Sequence, residues 1–435
     1  MPRKMVTNWG NYPTAEANVT ESAELSEIRK LVAKSEHLIA RGNGRCYGDS
    51  SLGENIFSTL RLNKFLEFDR ENGIIECESG VLLSEILDVI VPSGFFLPVT
   101  PGTKFITVGG AVAADVHGKN HHCDGSFANH IVHFDLMTGD GTTLRCSRAE
   151  NADLFWQTCG GMGLTGVILA VKFKLKPIET AYIDQISYKT ADLESTMKLF
   201  EQSGSSTYSV AWLDCFASKK DIGRSILMLG EHCNLSDLPK IFNNEPLRKA
   251  TGSALNVPLF MPSFALNYLS LKAFNTLYYH RQMRSEVRST VHFEPYFYPL
   301  DGMTNWNRLY GKNGFVQYQF VLPLETSYDG LTRILEKVSR SGQGSPLAVL
   351  KLFGKADPEA VMSFPMEGYT LALDFKAEPS VFRLLDELDE IVLEDRGRIY
   401  LAKDARMKAE TFRRSYSKIV SFGHFSSTQS ERLEF

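Results

Sequence analysis

Apolar positions change their spacing along this chain, and those changes predict its elements. Leu25, Ile28, Leu31 and Val32 recur at helical spacing within 22–34, and 82–91 repeats the pattern until Pro92 and Gly94 stop it. Residues 37–40 and 74–78 read as short strands, the second entered through the hairpin-type turn Glu71-Asn72-Gly73. Strands 131–138 and 142–146 flank Gly139-Asp140-Gly141, a helix covers 152–158, and 166–175 is a long apolar strand. Pro177 opens a second region, with strands at 182–188 and 208–215 around a helix at 193–200. A similar unit follows: strands 315–322, 349–353 and 370–375, with helices 331–339 and 381–394. This predicts one antiparallel sheet with helices on one face. A strand at 398–401 and a helix at 408–414 follow. The expected class is α+β, with two small sheets before residue 180.

At 435 residues the chain exceeds one ordinary core, so two domains are expected. Its 43% apolar and 23% charged content is that of a soluble globular protein. A formal charge of −4 gives no electrostatic reason to expect nucleic acid. The seven scattered cysteines read as reduced thiols rather than a disulfide framework. The N-terminus lacks an apolar signal core and no 18-residue apolar span follows, so a cytoplasmic location is expected, with room for peripheral membrane contact. Segment 253–289 runs apolar and aromatic, then basic at His280, Arg281, Arg284 and Arg288. It reads equally as a buried helix with a solvated end or as an amphipathic surface for a lipid.

Candidate chemistry concentrates at 98–130. Gly109 and Gly110 let backbone lie against a ligand and donate N–H groups, and Ala111, Ala113 and Ala114 keep the next turn thin. His117-Gly118-Lys119-Asn120-His121-His122 then supplies donors and cations. Such a run suits a flat, anionic, phosphate-bearing cofactor. Upstream, Gly42 and Gly44 permit a nest of N–H groups for phosphates. His117, His121, His122, His130 and His133 crowd together, but without HExxH or CxxC spacing no metal site is expected. Gln317 and Gln319 lie two apart on a strand and so share a face.

Taken in order, Arg41-Gly42-Asn43-Gly44-Arg45-Cys46-Tyr47-Gly48-Asp49, the 98–130 run, Tyr208-Ser-Val-Ala-Trp212, Gln317-Tyr-Gln319, Lys351-Leu-Phe-Gly354 and Tyr400-Leu-Ala-Lys403-Asp404 resemble the vanillyl-alcohol-oxidase-type (PCMH-type) flavoproteins. The resemblance spans nearly the whole chain. It implies a two-subdomain FAD-binding domain at 1–180, a substrate domain at 181–397 whose antiparallel sheet is covered by helices, and a segment 398–435 returning to the FAD domain. It places FAD phosphates on residues 41–49, and the pyrophosphate and ribityl chain along Gly102, Thr107, Val108, Gly109 and Gly110. Ala114, Asp115, Val116 and His117 would follow the isoalloxazine edge, Ile168 the adenosine, and Tyr400 and Lys403 the pyrimidine end. Arg45 stands where covalent relatives carry the flavin-linking histidine, which implies non-covalent FAD.

The same resemblance makes Lys403 and His117 the catalytic candidates, and Lys119, Gln317, Gln319 and Lys351 the substrate contacts. The implied reaction oxidises a secondary hydroxyl of a lipid-phosphate-linked sugar to a ketone. That is half of a 2-epimerisation in cell-wall polysaccharide biosynthesis, completed by an NAD(P)H-dependent short-chain reductase. Two alternatives stay open: a soluble alditol or aldonolactone oxidase on the same fold, and a non-catalytic sugar- or metal-binding protein. The chain departs from one family member at Ala372, a cysteine there, and at Phe297, a tyrosine there, and it ends without that member's Asp-Pro turn.

Overall fold

The computed structural model describes residues 3–249, 255–262, 265–416, 418 and 423–435. It is mixed α and β, and three sheets organise it. Lys4–Thr7, Thr14–Glu21, Asn55–Ser58 and Leu38–Arg41 form a four-stranded mixed sheet in that order. A five-stranded antiparallel sheet orders Phe65–Asp69, Ile74–Glu78, Val167–Lys174, Ile131–Met137 and Thr143–Cys146. The helix Leu83–Ile90 buries Leu83, Ile86, Leu87 and Ile90, and the short helix Val108–Ala113 buries Val108, Ala111 and Val112, in one apolar cluster with this sheet.

The third sheet has eight antiparallel strands, ordered Glu286–His292, Tyr182–Thr190, Ser225–His232, Tyr208–Leu213, Ala348–Phe353, Gly368–Lys376, Phe315–Pro323 and Arg398–Ile399. Period-2 alternation divides its two faces. Leu350, Leu371, Leu373, Tyr318 and Phe320 lie in the apolar core with the helices Leu193–Gln202, Leu324–Ser341 and Pro379–Glu394. The opposite parity carries Gln317, Gln319, Lys351, Thr370, Ala372 and Asp374: Gln317 pairs with Asp374, Gln319 with Ala372, and Lys351 with Thr370.

The strands Lys4–Thr7, Thr14–Glu21, Asn55–Ser58 and Phe65–Asp69 are not among those expected, and three further differences concern the second region. Ser225–His232 is a central strand, an apolar run whose lack of polar alternation hides it from a period-2 reading. The helix expected at 331–339 begins at Leu324. Its first two turns are obscured in the sequence by Thr326 and Ser327, whose hydroxyls donate back to the Pro323 carbonyl, and by Gly330, pressed against Asp395 and Leu322. Segment 253–289 is not one unit. Leu255–Asn256 pairs with Met303–Thr304, Tyr268–His280 is a helix, and Arg288 lies on the edge strand Glu286–His292. Positions 253, 254, 263 and 264 fall outside the described residues.

The chain's end packs on the first residues. Phe425 bridges to Leu38, and Arg432 holds Asp49 and Asp404 together with Nη2 contacts of 2.8 Å to each. Burial alone would raise the Asp404 pKa, but Arg432 and Arg406 outweigh it and keep the carboxylate low. Among the described residues, no helix is long and apolar enough to cross a membrane.

Candidate active site

The 41–49 loop leaves the strand Leu38–Arg41 and turns beneath the sheet's polar face. Gly44 sits at φ 60°, a left-handed conformation that a side chain disfavours. Gly48 has no room for a Cβ, which would stand 1.7 Å from the Asp404 carbonyl oxygen. That close approach, with Tyr47 N donating to the Ala402 carbonyl at 3.1 Å, clamps the 400–404 turn onto the loop. Among the described residues, the N–H groups of Gly42, Asn43, Gly44, Arg45 and Cys46 find no protein acceptor. Arg41 Nε is buried and also lacks a partner. Five unclaimed N–H donors beside two arginines fit the phosphates of a dinucleotide. Arg45 lies 4.1 Å over the Trp9 ring and 5.3 Å from the Phe105 ring centre.

Gly109 and Gly110 do not offer their N–H groups to a ligand in the way the sequence suggests. Gly109 N donates to the Ser79 carbonyl at 2.8 Å and Gly110 N to Thr107 Oγ1 at 3.1 Å. Their N–H groups are thus spent inside the protein, because Thr107 caps the short helix and Gly109 packs on Ser79. Asp115 likewise turns inward. Its carboxylate accepts from the Ser126 hydroxyl, the Ala128 N–H and the Ser363 hydroxyl, fixing the backbone that leads through Val116 to His117.

His117 is the hinge between this backbone and the sheet. Its Nε2 lies 3.2 Å from Gln319 Nε2, and its Nδ1 lies 3.2 Å from Lys351 Nζ. Burial, then the Lys351, His121 and Lys403 charges, hold its pKa well below the usual histidine range, so the ring is neutral. A neutral imidazole carries one N–H and cannot accept at both nitrogens. Gln319 Nε2 also donates to Thr370 Oγ1 at 3.2 Å, and Thr370 donates to the Phe320 carbonyl, which fixes the amide, so the ring Nε2 accepts from Gln319 and the Nδ1 proton faces the Lys351 amine. Phe353, Phe364 and Tyr400 surround the ring. Tyr400 stacks on Phe364 with ring centres 4.5 Å apart, and its hydroxyl donates to the Ala114 carbonyl at 2.9 Å.

Lys403 stands with Nζ 3.8 Å from the centre of the Tyr47 ring. Burial lowers its pKa to about 8, and Asp374 partly restores it. Burial brings Lys351 down to about 7, with Lys403 adding to the effect. Lys119 falls to about 7 for the same reason, with Lys351 as the neighbouring charge. Its ammonium is turned onto the Tyr296 carbonyl and ring rather than onto the Lys351 group. Three lysines and one carboxylate, Asp374, therefore share one enclosed region. The surplus positive charge fits an anionic ligand.

Sequence reasoning missed Asp374. Its Oδ1 accepts from Gln317 Nε2 at 2.6 Å, and burial pushes its pKa up to about 7. The available signal was its parity with Thr370 and Ala372 on a strand that pairs with Gln317-Tyr-Gln319. Two expected contacts lie apart from this cluster. Ile168 is buried in the five-stranded sheet, at a register irregularity opposite Leu136, and Gly102 has open space around it. His122 Nε2 bonds the Ser206 carbonyl at 2.8 Å, and His121 packs on Phe353. Among the described residues, no three His, Cys, Asp or Glu side chains group as metal ligands.

The FAD binding domain family matches residues 13–147. The decaprenylphosphoryl-β-D-ribose oxidase of Mycolicibacterium smegmatis is 35% identical over 99% of this chain and 97% of its own. A Streptomyces coelicolor protein from the mprA 5′ region is 32% identical over 79% of this chain and 94% of its own. Mouse L-gulonolactone oxidase is 26% identical over 45% of this chain and 46% of its own. FAD supplies the two-electron oxidant, and the protein is an FAD-dependent oxidoreductase acting on a CH–OH group. The chain belongs to the decaprenylphosphoryl-β-D-ribose oxidase family of FAD-binding proteins.

Proposed function

We propose that this enzyme oxidises the 2-hydroxyl of a lipid-phosphate-linked ribose to a ketone, using non-covalent FAD, as the first half of a 2-epimerisation toward cell-wall arabinose. An NAD(P)H-dependent short-chain reductase completes the exchange. The observation that carries the reading is the cation-rich polar face of the eight-stranded sheet, where His117, Lys351 and Lys403 meet Gln317 and Gln319. Cations there suit a sugar phosphate, and paired amides suit sugar hydroxyls.

In this reading the 42–46 N–H groups and Arg41 hold the FAD pyrophosphate, and Tyr400 and Lys403 face the pyrimidine end. Lys403 supplies positive charge where negative charge develops on reduction. The four- and five-stranded sheets form the two halves of an FAD domain at 1–180, which 398–435 rejoins, and 181–397 holds the sugar. Arg45, sandwiched by Trp9 and Phe105, replaces a flavin-linking histidine. A peripheral membrane contact is supported by the exposed Leu269 and Leu277 on the helix Tyr268–His280, which ends at Arg281. Coverage of nearly the whole ribose oxidase, against under half of the gulonolactone oxidase, favours the lipid-linked sugar over a free aldonolactone.

Two measurements test this. Acid precipitation of the yellow protein should release FAD to the supernatant, and flavin in the pellet would contradict the non-covalent assignment. In steady state, a polyprenyl-phosphoribose should give a kcat/KM well above those of a free alditol and an aldonolactone. The reverse order would contradict the substrate.

A further inference from the structure

The eight-stranded sheet has a second opening beside the site. A cavity of about 290 Å3 lies between the start of the Tyr268–His280 helix, the 342–346 turn and the end of the Gly368–Lys376 strand. Leu266, Tyr268 and Gln343 line it, and so do two deeply buried polar residues, Asp374 and Tyr310. Asp374 Oδ2 and the Tyr310 hydroxyl are buried and face each other, and among the described residues neither has another hydrogen-bond partner. A carboxylate oxygen and a hydroxyl that meet only each other leave bonding capacity unused, and on a cavity wall that capacity points to water beside them.

The other Asp374 oxygen belongs to the active site. Oδ1 accepts from Gln317, Gln317 lies beside the Tyr47 hydroxyl, and Lys403 stands on the Tyr47 ring. One carboxyl group thus borders both the lysine cluster and the cavity. The groups facing it are Lys403 from the 400–404 turn, Tyr47 from the 41–49 loop and Tyr310 from its short helix, with Lys376 and Glu378 lining the cavity wall.

Oxidising a secondary alcohol leaves a proton to be removed. The C–H electron pair departs as hydride to FAD, which is reduced, while the carbinol carbon is oxidised. One alcohol and one oxidised FAD therefore give one ketone, one anionic reduced flavin and one proton. An enclosed cluster already holding His117, Lys351 and Lys403 must shed that proton at every turnover.

We propose that Asp374 is the proton outlet of this active site, passing the hydroxyl proton from the lysine cluster to water in the 290 Å3 cavity. This rests on the alcohol-oxidation reading. The O–H bond breaks as an N–H bond forms on the Lys351 amine in its unprotonated form, while Lys403 stays an ammonium. That N–H bond then breaks as, relayed by an intervening water, an O–H bond forms on the Asp374 carboxylate, and the carboxyl finally gives the proton to cavity water. Asp374 touches no reacting atom. It acts through the cluster, so it is a positioning and proton-transfer residue.

The test uses Asp374→Asn, which keeps an oxygen for Gln317 but cannot titrate, and Gln343→Trp, which fills the cavity without altering the carboxylate. Infrared difference spectra of the resting protein between about pH 5 and about pH 9 should show a carboxyl C=O band titrating near pH 7, absent from Asp374→Asn. In anaerobic single turnovers with a pH indicator, one proton should appear in step with flavin bleaching in the parent protein. In both variants its appearance should lag by about 10²-fold, the low end of a positioned acid–base group's contribution. Proton release in step with bleaching in both variants would overturn the outlet. If no sugar bleaches the parent protein, the oxidation reading has failed. The infrared arm then decides alone, and a band unchanged in Asp374→Asn overturns the assignment.

Discussion

The two faces of the eight-stranded sheet are built by the same strands and have opposite chemistry. One face sets Leu350, Leu371 and Leu373, all fully buried, under three helices. The other sets Gln317, Gln319, Lys351 and Asp374 towards the 41–49 loop and the 400–404 turn. A one-residue step along a strand therefore changes what a side chain is for: the first face holds the fold, and the second holds charges in place at some expense to stability. Substitutions on the two faces should separate these roles cleanly.

The largest effect is expected on the apolar face. Leu371→Ala should lower the unfolding free energy by about 2–5 kcal/mol in urea denaturation, by lost burial and an unfilled cavity. Flavin reduction per folded molecule should not change. A comparable loss of turnover without loss of stability would erase the distinction between faces.

Next comes Lys403→Ala. Removing a charge fixed over Tyr47 should slow anaerobic flavin reduction by about 10²-fold, as for loss of one preorganised charge-stabilising donor. Melting temperature should hold or rise, because a buried ammonium is lost. Unchanged stopped-flow kinetics would remove Lys403 from the chemistry.

How much of this was legible beforehand follows from the same parity. Gln317 and Gln319 were readable as one polar face because strand period places i and i+2 together. The lysines came from motif resemblance, since a single lysine after a strand carries no periodic signal. Asp374 stayed hidden because its partner Gln317 is fixed by strand register, and register is a long-range property. The commitment of the Gly109 N–H was hidden for a similar reason: Ser79 lies thirty residues upstream. The helices under the sheet were readable from apolar spacing, except where Thr326, Ser327 and Gly330 broke the pattern at the start of one.

A pH prediction follows from the lysines. Burial lowers Lys351 to about 7 from 10.5, so between these values the unfolded chain binds more protons than the folded one. Stability from this group is therefore present above its unfolded pKa and is lost as pH falls through the folded value. Asp374 works the other way below neutrality: its raised folded pKa of about 7 favours the fold in acid, and that contribution fades as pH rises towards 7. Melting temperature should thus climb from about pH 7 to about pH 9 in the parent protein and climb less in Lys351→Met. Equal slopes would mean that Lys351 is solvated.

The smallest expected effect is that of Gln319→Leu. His117 loses its Nε2 partner, so the ring loses its orientation while Lys351 still holds Nδ1. KM for the lipid-linked sugar should rise by about tenfold, the order of one lost hydrogen bond to a neutral group, with kcat changing less. A kcat loss as large as that of Lys403→Ala would instead place Gln319 in the chemical step.

The most direct test of the polar face as an alcohol-oxidising site is an anaerobic titration of the yellow protein with polyprenyl-phosphoribose, followed by flavin absorbance. The account predicts complete bleaching by the lipid-linked ribose, the same endpoint reached far more slowly in Lys403→Ala, and a melting temperature in that variant no lower than the parent's. Flavin that stays oxidised in the parent protein, or that bleaches equally fast in both, would contradict it.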